Sequence, residues 1–162
     1  MALARAVARL TLPIALVLGV LLSNVAPAAA STSPATEYSK IFNLAKTKIG
    51  DPWVHYAKGP NKFDCVGYVW YIFHENGLQD RIGGYRGVKS YYTWFRDRVL
   101  VSKDNPRLGD LIIWGDFQHV GMYVGNGYAI SALVNPWGVK IAPVKGWLNE
   151  SFRYYLHTTL TR

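Results

Sequence analysis

The chain has 162 residues, half of them apolar, a formal charge of +8 and one cysteine. That length buries one real core and argues against division into two domains. The single cysteine excludes an internal disulfide framework. No Cys/His cluster at metal-ligand spacing, phosphate-cradling loop or nucleic-acid module is present, so no metal, no cofactor and no nucleic-acid partner is expected.

Residues 1–30 read as a secretory signal peptide. Arg5 and Arg9 give a basic start, an apolar run follows from Leu10 to Leu22, and Ala28-Ala29-Ala30 offers a small-residue cleavage site. Pro13 interrupts the run, and Ser23, Asn24 and Pro27 end it short of the ~20 residues a spanning helix needs. Cleavage after Ala30 lowers the charge to +6 and leaves a basic, exported, monomeric protein suited to anionic surfaces such as a cell envelope. Residues 31–35 are a short disordered lead, and 36–162 form a single domain.

Thr36 suits a helix N-cap. Tyr38, Ile41, Phe42, Leu44, Ala45 and Ile49 then recur at helical spacing up to Gly50. Between Asp51 and Lys62 prolines, glycine and asparagine break regular structure, and Trp53, His55 and Tyr56 crowd rings ahead of the cysteine. Asp64 caps a second helix that starts at Cys65 and runs apolar through Val66, Val69, Trp70, Ile72 and Phe73 to Gly77. This is the central buried helix, its N-terminus opening on a cleft.

A loop covers Leu78–Val88, and Ser90–Arg98 allows a short helix. The remainder reads as five strands: Leu111–Trp114, His119–Val124, Tyr128–Val134, Val139–Val144 and Phe152–Thr159. Turns at Gly125-Asn126-Gly127 and Asn135-Pro136-Trp137-Gly138 join them. Helices followed by an antiparallel meander define an α+β fold, with helices packed on a curled sheet.

A helix N-terminus and a nearby imidazole are the two usual means of stabilising a thiolate. Cys65 has the first by position, and His119, opening a strand, is the candidate for the second. A histidine base needs an acceptor on its other nitrogen. If Gly125-Asn126-Gly127 is a three-residue loop, Val124 pairs with Tyr128 and residues of equal parity share a face. His119 and Ser131 then lie diagonally on one face, with Val120, Met122, Val124, Ile130 and Ala132 on the other. An even-length loop puts Ser131 on the wrong side, and Asn135 and Asp116 are the alternative orienters. His55, His74 and His157 have no comparable context.

Pro52-Trp53-Val54, Gly59-Pro60, Phe63-Asp64-Cys65-Val66-Gly67, Leu108-Gly109-Asp110-Leu111 and the run His119 to Gly127 together resemble NlpC-type cell-wall cysteine peptidases, over about Thr36 to Val144. The resemblance implies a papain-like fold and thiolate attack on an amide of peptidoglycan stem peptides, between D-glutamyl and a diamino acid. It implies Cys65, His119 and Ser131 as catalytic positions, and Trp53, Asp64 and Val66 as substrate-binding ones. Val66 stands where the family usually has serine, Trp53 where it commonly has tyrosine, and Ser131 where it has His, Asn or Gln. A wall-binding module with weakened turnover and a related amidase or transpeptidase are the competing functions.

Overall fold

A computed structural model describes residues 35–146 and 151–162. The signal-peptide expectation, and all but the last residue of the expected lead, lie outside the described residues.

The first helix, α1 (Glu37–Thr47), begins where its cap predicts: Thr36 is extended, and its hydroxyl accepts the Ser39 N–H at 3.2 Å. Such a cap contributes about 1 kcal/mol. α1 buries Ile41 and Ala45. α2 (Cys65–His74) starts at the cysteine, capped by Asp64, and buries Tyr68, Val69, Ile72 and Phe73. Each large side chain so buried contributes roughly 1.5–3 kcal/mol. The Tyr68 hydroxyl donates to the Ala45 carbonyl at 3.1 Å and ties α2 to α1.

Two expectations for the next stretch need correction. The segment expected as loop contains a single 3-10 turn (Gln79–Ile82) that drops Ile82 into the core. The third helix, α3, spans Val88–Arg96 rather than Ser90–Arg98, because Val88 joins Tyr91 and Phe95 on its buried stripe.

Among the described residues six strands follow, one beyond the five read from the sequence: β1 (Val101–Ser102), β2 (Leu111–Trp114), β3 (His119–Gly125), β4 (Tyr128–Leu133), β5 (Gly138–Pro143) and β6 (Phe152–Leu156). They form one antiparallel sheet in the order β1-β6-β2-β3-β4-β5. β1 is too short to show alternation in sequence and exists by pairing with the last strand, Val101 opposite Leu156. That strand stops at Leu156, three residues before the expected end.

The β3–β4 turn is also shorter than expected. Asn126 and Gly127, at φ 52° and 79°, make a two-residue turn of the kind that needs left-handed backbone at both positions, and Gly125 faces Tyr128. A bulge between Tyr123 and Gly125 restores the residue that the shorter turn removes. Met122 therefore pairs with Ile130 and Tyr123 with Ala129, and the even and odd faces fall as the three-residue loop implied. Val120, Met122, Ile130 and Ala132 join Leu111 and Ile113 under the helices. Ile112, Trp114, Ala129, Val144 and Tyr155 form a smaller cluster.

At the start of β2, Asp110 is fully buried and its carboxylate is saturated. Oδ2 accepts from the Arg107 N–H at 2.8 Å and lies 2.7 Å from His157 Nδ1. Oδ1 accepts from the Thr158 N–H at 3.0 Å and from Arg162 Nη2 at 3.1 Å. His157, read from sequence as a strand residue without context, lies just past β6 and helps lock the C-terminal segment to the Leu108-Gly109-Asp110 turn.

Candidate active site

The Asp64 side chain organises the entrance to α2. Oδ1 accepts the Gly67 N–H at 2.6 Å, and Oδ2 accepts the Tyr56 N–H at 3.0 Å. One carboxylate thus caps the helix and pins the aromatic loop before it, leaving both oxygens engaged with backbone. Gly67 makes this possible: a Cβ there would collide with the Ala57 carbonyl oxygen, so the loop lies against the first turn only because residue 67 has no side chain.

Cys65 is partly buried, and the backbone N–H groups of Val120, Val66 and Cys65 itself face its sulfur. The Val120 contact sets the thiol against the backbone immediately after His119. Burial nevertheless pushes the Cys65 thiol up to about 11, helped by the Asp64 carboxylate and opposed by those N–H groups. Desolvation thus outweighs the helix N-terminus, the first of the two means expected to stabilise a thiolate here.

His119 opens β3 opposite Trp114, whose ring lies 5.4 Å from the imidazole and tilted by 42°. Burial lowers the imidazole to about 4. Its Nε2 lies 3.0 Å from Ser131 Oγ, leaving Nδ1 as the other proton site. Ser131 is buried on β4 opposite Lys140, and a Cβ on Gly121 would sit 2.8 Å from Ser131 Cβ. A side chain at 121 would therefore crowd the pair. The sequence singled out neither Gly121 nor Trp114; their signal is β-register, which emerges only with the strand pairing.

The alternative orienters lie elsewhere. Asp116 is 79% exposed and 3.2 Å from Arg153 Nη1, and Asn135 is exposed in the β4–β5 turn. Trp53 is half-buried, bridged to Phe63 just ahead of Asp64, and starts a run of stacked rings. His55 lies 5.9 Å from it and Tyr56 3.8 Å from His55, between centroids. Val66 is half-buried against the main core. Among the described residues no three His, Cys, Asp or Glu side chains gather as a metal-ligand set.

Residues 50–155 match the model of the NlpC/P60 family. The sequence is 31% identical over 119 residues to the probable endopeptidase p60 of Listeria grayi, covering 72% of this chain and 22% of that protein. It is 28% identical over 125 residues to the gamma-D-glutamyl-L-lysine dipeptidyl-peptidase of Bacillus cereus, covering 72% of this chain and 35% of that protein. The chain thus spans about a fifth to a third of the length of these two relatives. The crystal structure of the NlpC/p60 domain of the peptidoglycan hydrolase SagA superposes with a TM-score of 0.59 at 26% identity, covering 75% of this chain and 98% of that one. The papain-like α+β expectation agrees with this likeness: three helices pack on an open antiparallel sheet.

Proposed function

The chain belongs to the NlpC/P60 family, and from that premise we propose that it is an exported cysteine peptidase that hydrolyses amide bonds in peptidoglycan stem peptides. The observation that carries the reading is the convergence at the start of β3: the Cys65 sulfur against the Val120 N–H, and the adjoining His119 held through Nε2 by Ser131.

In the free protein both reacting groups are neutral, because burial disfavours thiolate and imidazolium alike. The pair still works as an acid–base couple. With Nε2–H donating to Ser131 Oγ, Nδ1 carries the lone pair and takes the thiol proton as the sulfur attacks the substrate carbonyl. Thiolate and imidazolium are then created together, each compensating the charge that burial penalises. N–H groups at the start of α2 help hold the oxyanion. His119 returns its proton to the departing amine, and water resolves the thioester by the reverse proton path. Ser131 orients the ring but, lacking charge, stabilises the imidazolium less than a carboxylate would.

The relative that cuts gamma-D-glutamyl-L-lysine bonds points to the same linkage class as substrate here. Incubation of the mature protein with purified peptidoglycan is expected to release stem fragments with new amino termini, and Cys65→Ala to release none. Identical fragment profiles overturn the hydrolase reading in favour of a binding module. Adducts with an added amine, rather than free acid products, favour transpeptidation.

A further inference from the structure

Ahead of the helix that starts at Cys65, three aromatic rings stack into a ladder that climbs from the core to solvent. At its foot Trp53 packs on the main core. The His55 ring lies 5.9 Å from that of Trp53 and 12° from parallel, and the Tyr56 ring 3.8 Å from that of His55 and 18° from parallel. At the outer end Tyr56 is 75% exposed. With one ring face against His55, that exposure belongs to the other face and the hydroxyl edge.

The loop holds this display in place. The Val54 N–H donates to the Phe63 carbonyl at 2.9 Å and the Phe63 N–H to the Pro52 carbonyl at 3.1 Å. The Ala57 N–H closes a turn on the Val54 carbonyl at 3.1 Å, and the Asp64 N–H donates to the Ala57 carbonyl at 2.9 Å. Tyr56 is the third residue of that turn, at φ 62°. Glycine takes such a left-handed position freely, whereas a bulky side chain takes it only under strain. Asp64 Oδ2 holds the strained residue by accepting its N–H at 3.0 Å. A tyrosine set at glycine's position with a ring face outward adds little to the core and suits a ligand.

The shape specifies that ligand. A flat, electron-rich face bordered by a phenol hydroxyl and an imidazole suits the C–H face of a pyranose ring, whose hydroxyl and acetamido groups then meet the polar edges. Rings already fixed lose little freedom on binding. The same Asp64 carboxylate spans the ladder and the first turn of α2, since its Oδ1 accepts the Gly67 N–H at 2.6 Å. In a peptidoglycan stem the glutamyl residue is the second from the sugar, about 7 Å of extended chain. Resting on the peptidase reading, we infer that His55 and Tyr56 form a stacking platform for an N-acetylated sugar of the glycan strand, so that the protein prefers stems still attached to glycan over free ones.

The test measures calorimetric affinities of the Cys65→Ala protein for a stem peptide alone and for the same peptide carried on its N-acetylated disaccharide. The sugar-bearing ligand is expected to bind at least tenfold more tightly. In the same background Tyr56→Ala and Tyr56→Gly each bring the two ligands to equal affinity, and Tyr56→Phe keeps most of the preference. Tyr56→Gly leaves the melting temperature unchanged or higher, because glycine relieves the turn, so its loss of preference is not loss of fold. Equal or weaker binding of the sugar-bearing ligand, binding of neither, or a preference that survives both Tyr56→Ala and Tyr56→Gly overturns the inference. Cleavage of both ligands by the active protein is followed separately. A sugar preference without cleavage upholds the platform and overturns the peptidase reading alone; cleavage of both without a sugar preference overturns the platform alone.

Discussion

β2 joins two polar centres that use histidine in opposite ways. At its start, His157 meets a fully buried carboxylate that also engages Arg162, Arg107 and the Thr158 backbone. At its far end, beside Trp114, His119 meets a serine hydroxyl. The first centre compensates its buried charge fully and fastens the C-terminal segment to the turn that starts the sheet. The second holds a neutral imidazole at rest, and on the proposed mechanism it develops charge when a proton moves from Cys65 to His119. A saturated network serves fold stability, and an undercompensated one suits chemistry; both occur in one small sheet.

Substitutions separate the two roles. The largest expected effect on turnover is His119→Ala, which removes the proposed base and should lower kcat/KM on a stem peptide by about 10²–10⁴-fold while leaving the thermal midpoint at neutral pH within a few degrees. An active His119→Ala would break the contrast. Next is Asp110→Ala, which strands Arg162 and His157 and should cost about 3–5 kcal/mol in denaturant unfolding. Below its melting temperature this variant should keep kcat/KM within a few-fold of the parent; loss of activity in a fully folded Asp110→Ala protein would mean that the centres are coupled.

The pH dependence of stability follows from the lowered His119. The unfolded imidazole takes up a proton near 6.5 and the folded one only near 4, so the unfolded chain binds more protons between those values. Stability is therefore expected to fall as pH drops through this window, by up to about 3 kcal/mol, from this group. His119→Gln should flatten that part of the curve in denaturant titrations at pH 4.5 and 7; an unaltered slope would show that His119 is not held neutral. The smallest effect belongs to Ser131. Removing one neutral hydrogen bond of about 1 kcal/mol should lower kcat about fivefold in Ser131→Ala. Ser131→His, which supplies a ring better able to stabilise the imidazolium, should raise it, and an unchanged rate in both variants would remove Ser131 from the orienting role.

Much of this was legible in the sequence, for local reasons. Thr36 and Asp64 announced two helices because N-capping is a three-residue affair, and Cys65 and His119 stood out through the motifs around them. The face shared by His119 and Ser131 followed from strand parity, although the turn was miscounted: the bulge at Val124 hid one residue and the shorter loop removed another. What escaped was non-local. His157 looked contextless because its partner, Asp110, lies 47 residues away. β1 has two residues and no pattern of its own. The suppressed ionisation of Cys65 escaped as well, since sequence supplies the helix dipole but not the depth of burial that overrides it.

Capture of the acyl-enzyme tests the nucleophilic role of Cys65 most directly. The active protein is mixed with a stem peptide containing a γ-linked glutamyl residue, quenched in acid within the first turnovers, digested and examined by mass spectrometry. The account predicts a thioester on the Cys65 peptide with the mass of the acyl half of the substrate, and no turnover by Cys65→Ala. Undiminished cleavage by Cys65→Ala, with no adduct in the parent protein, would contradict it.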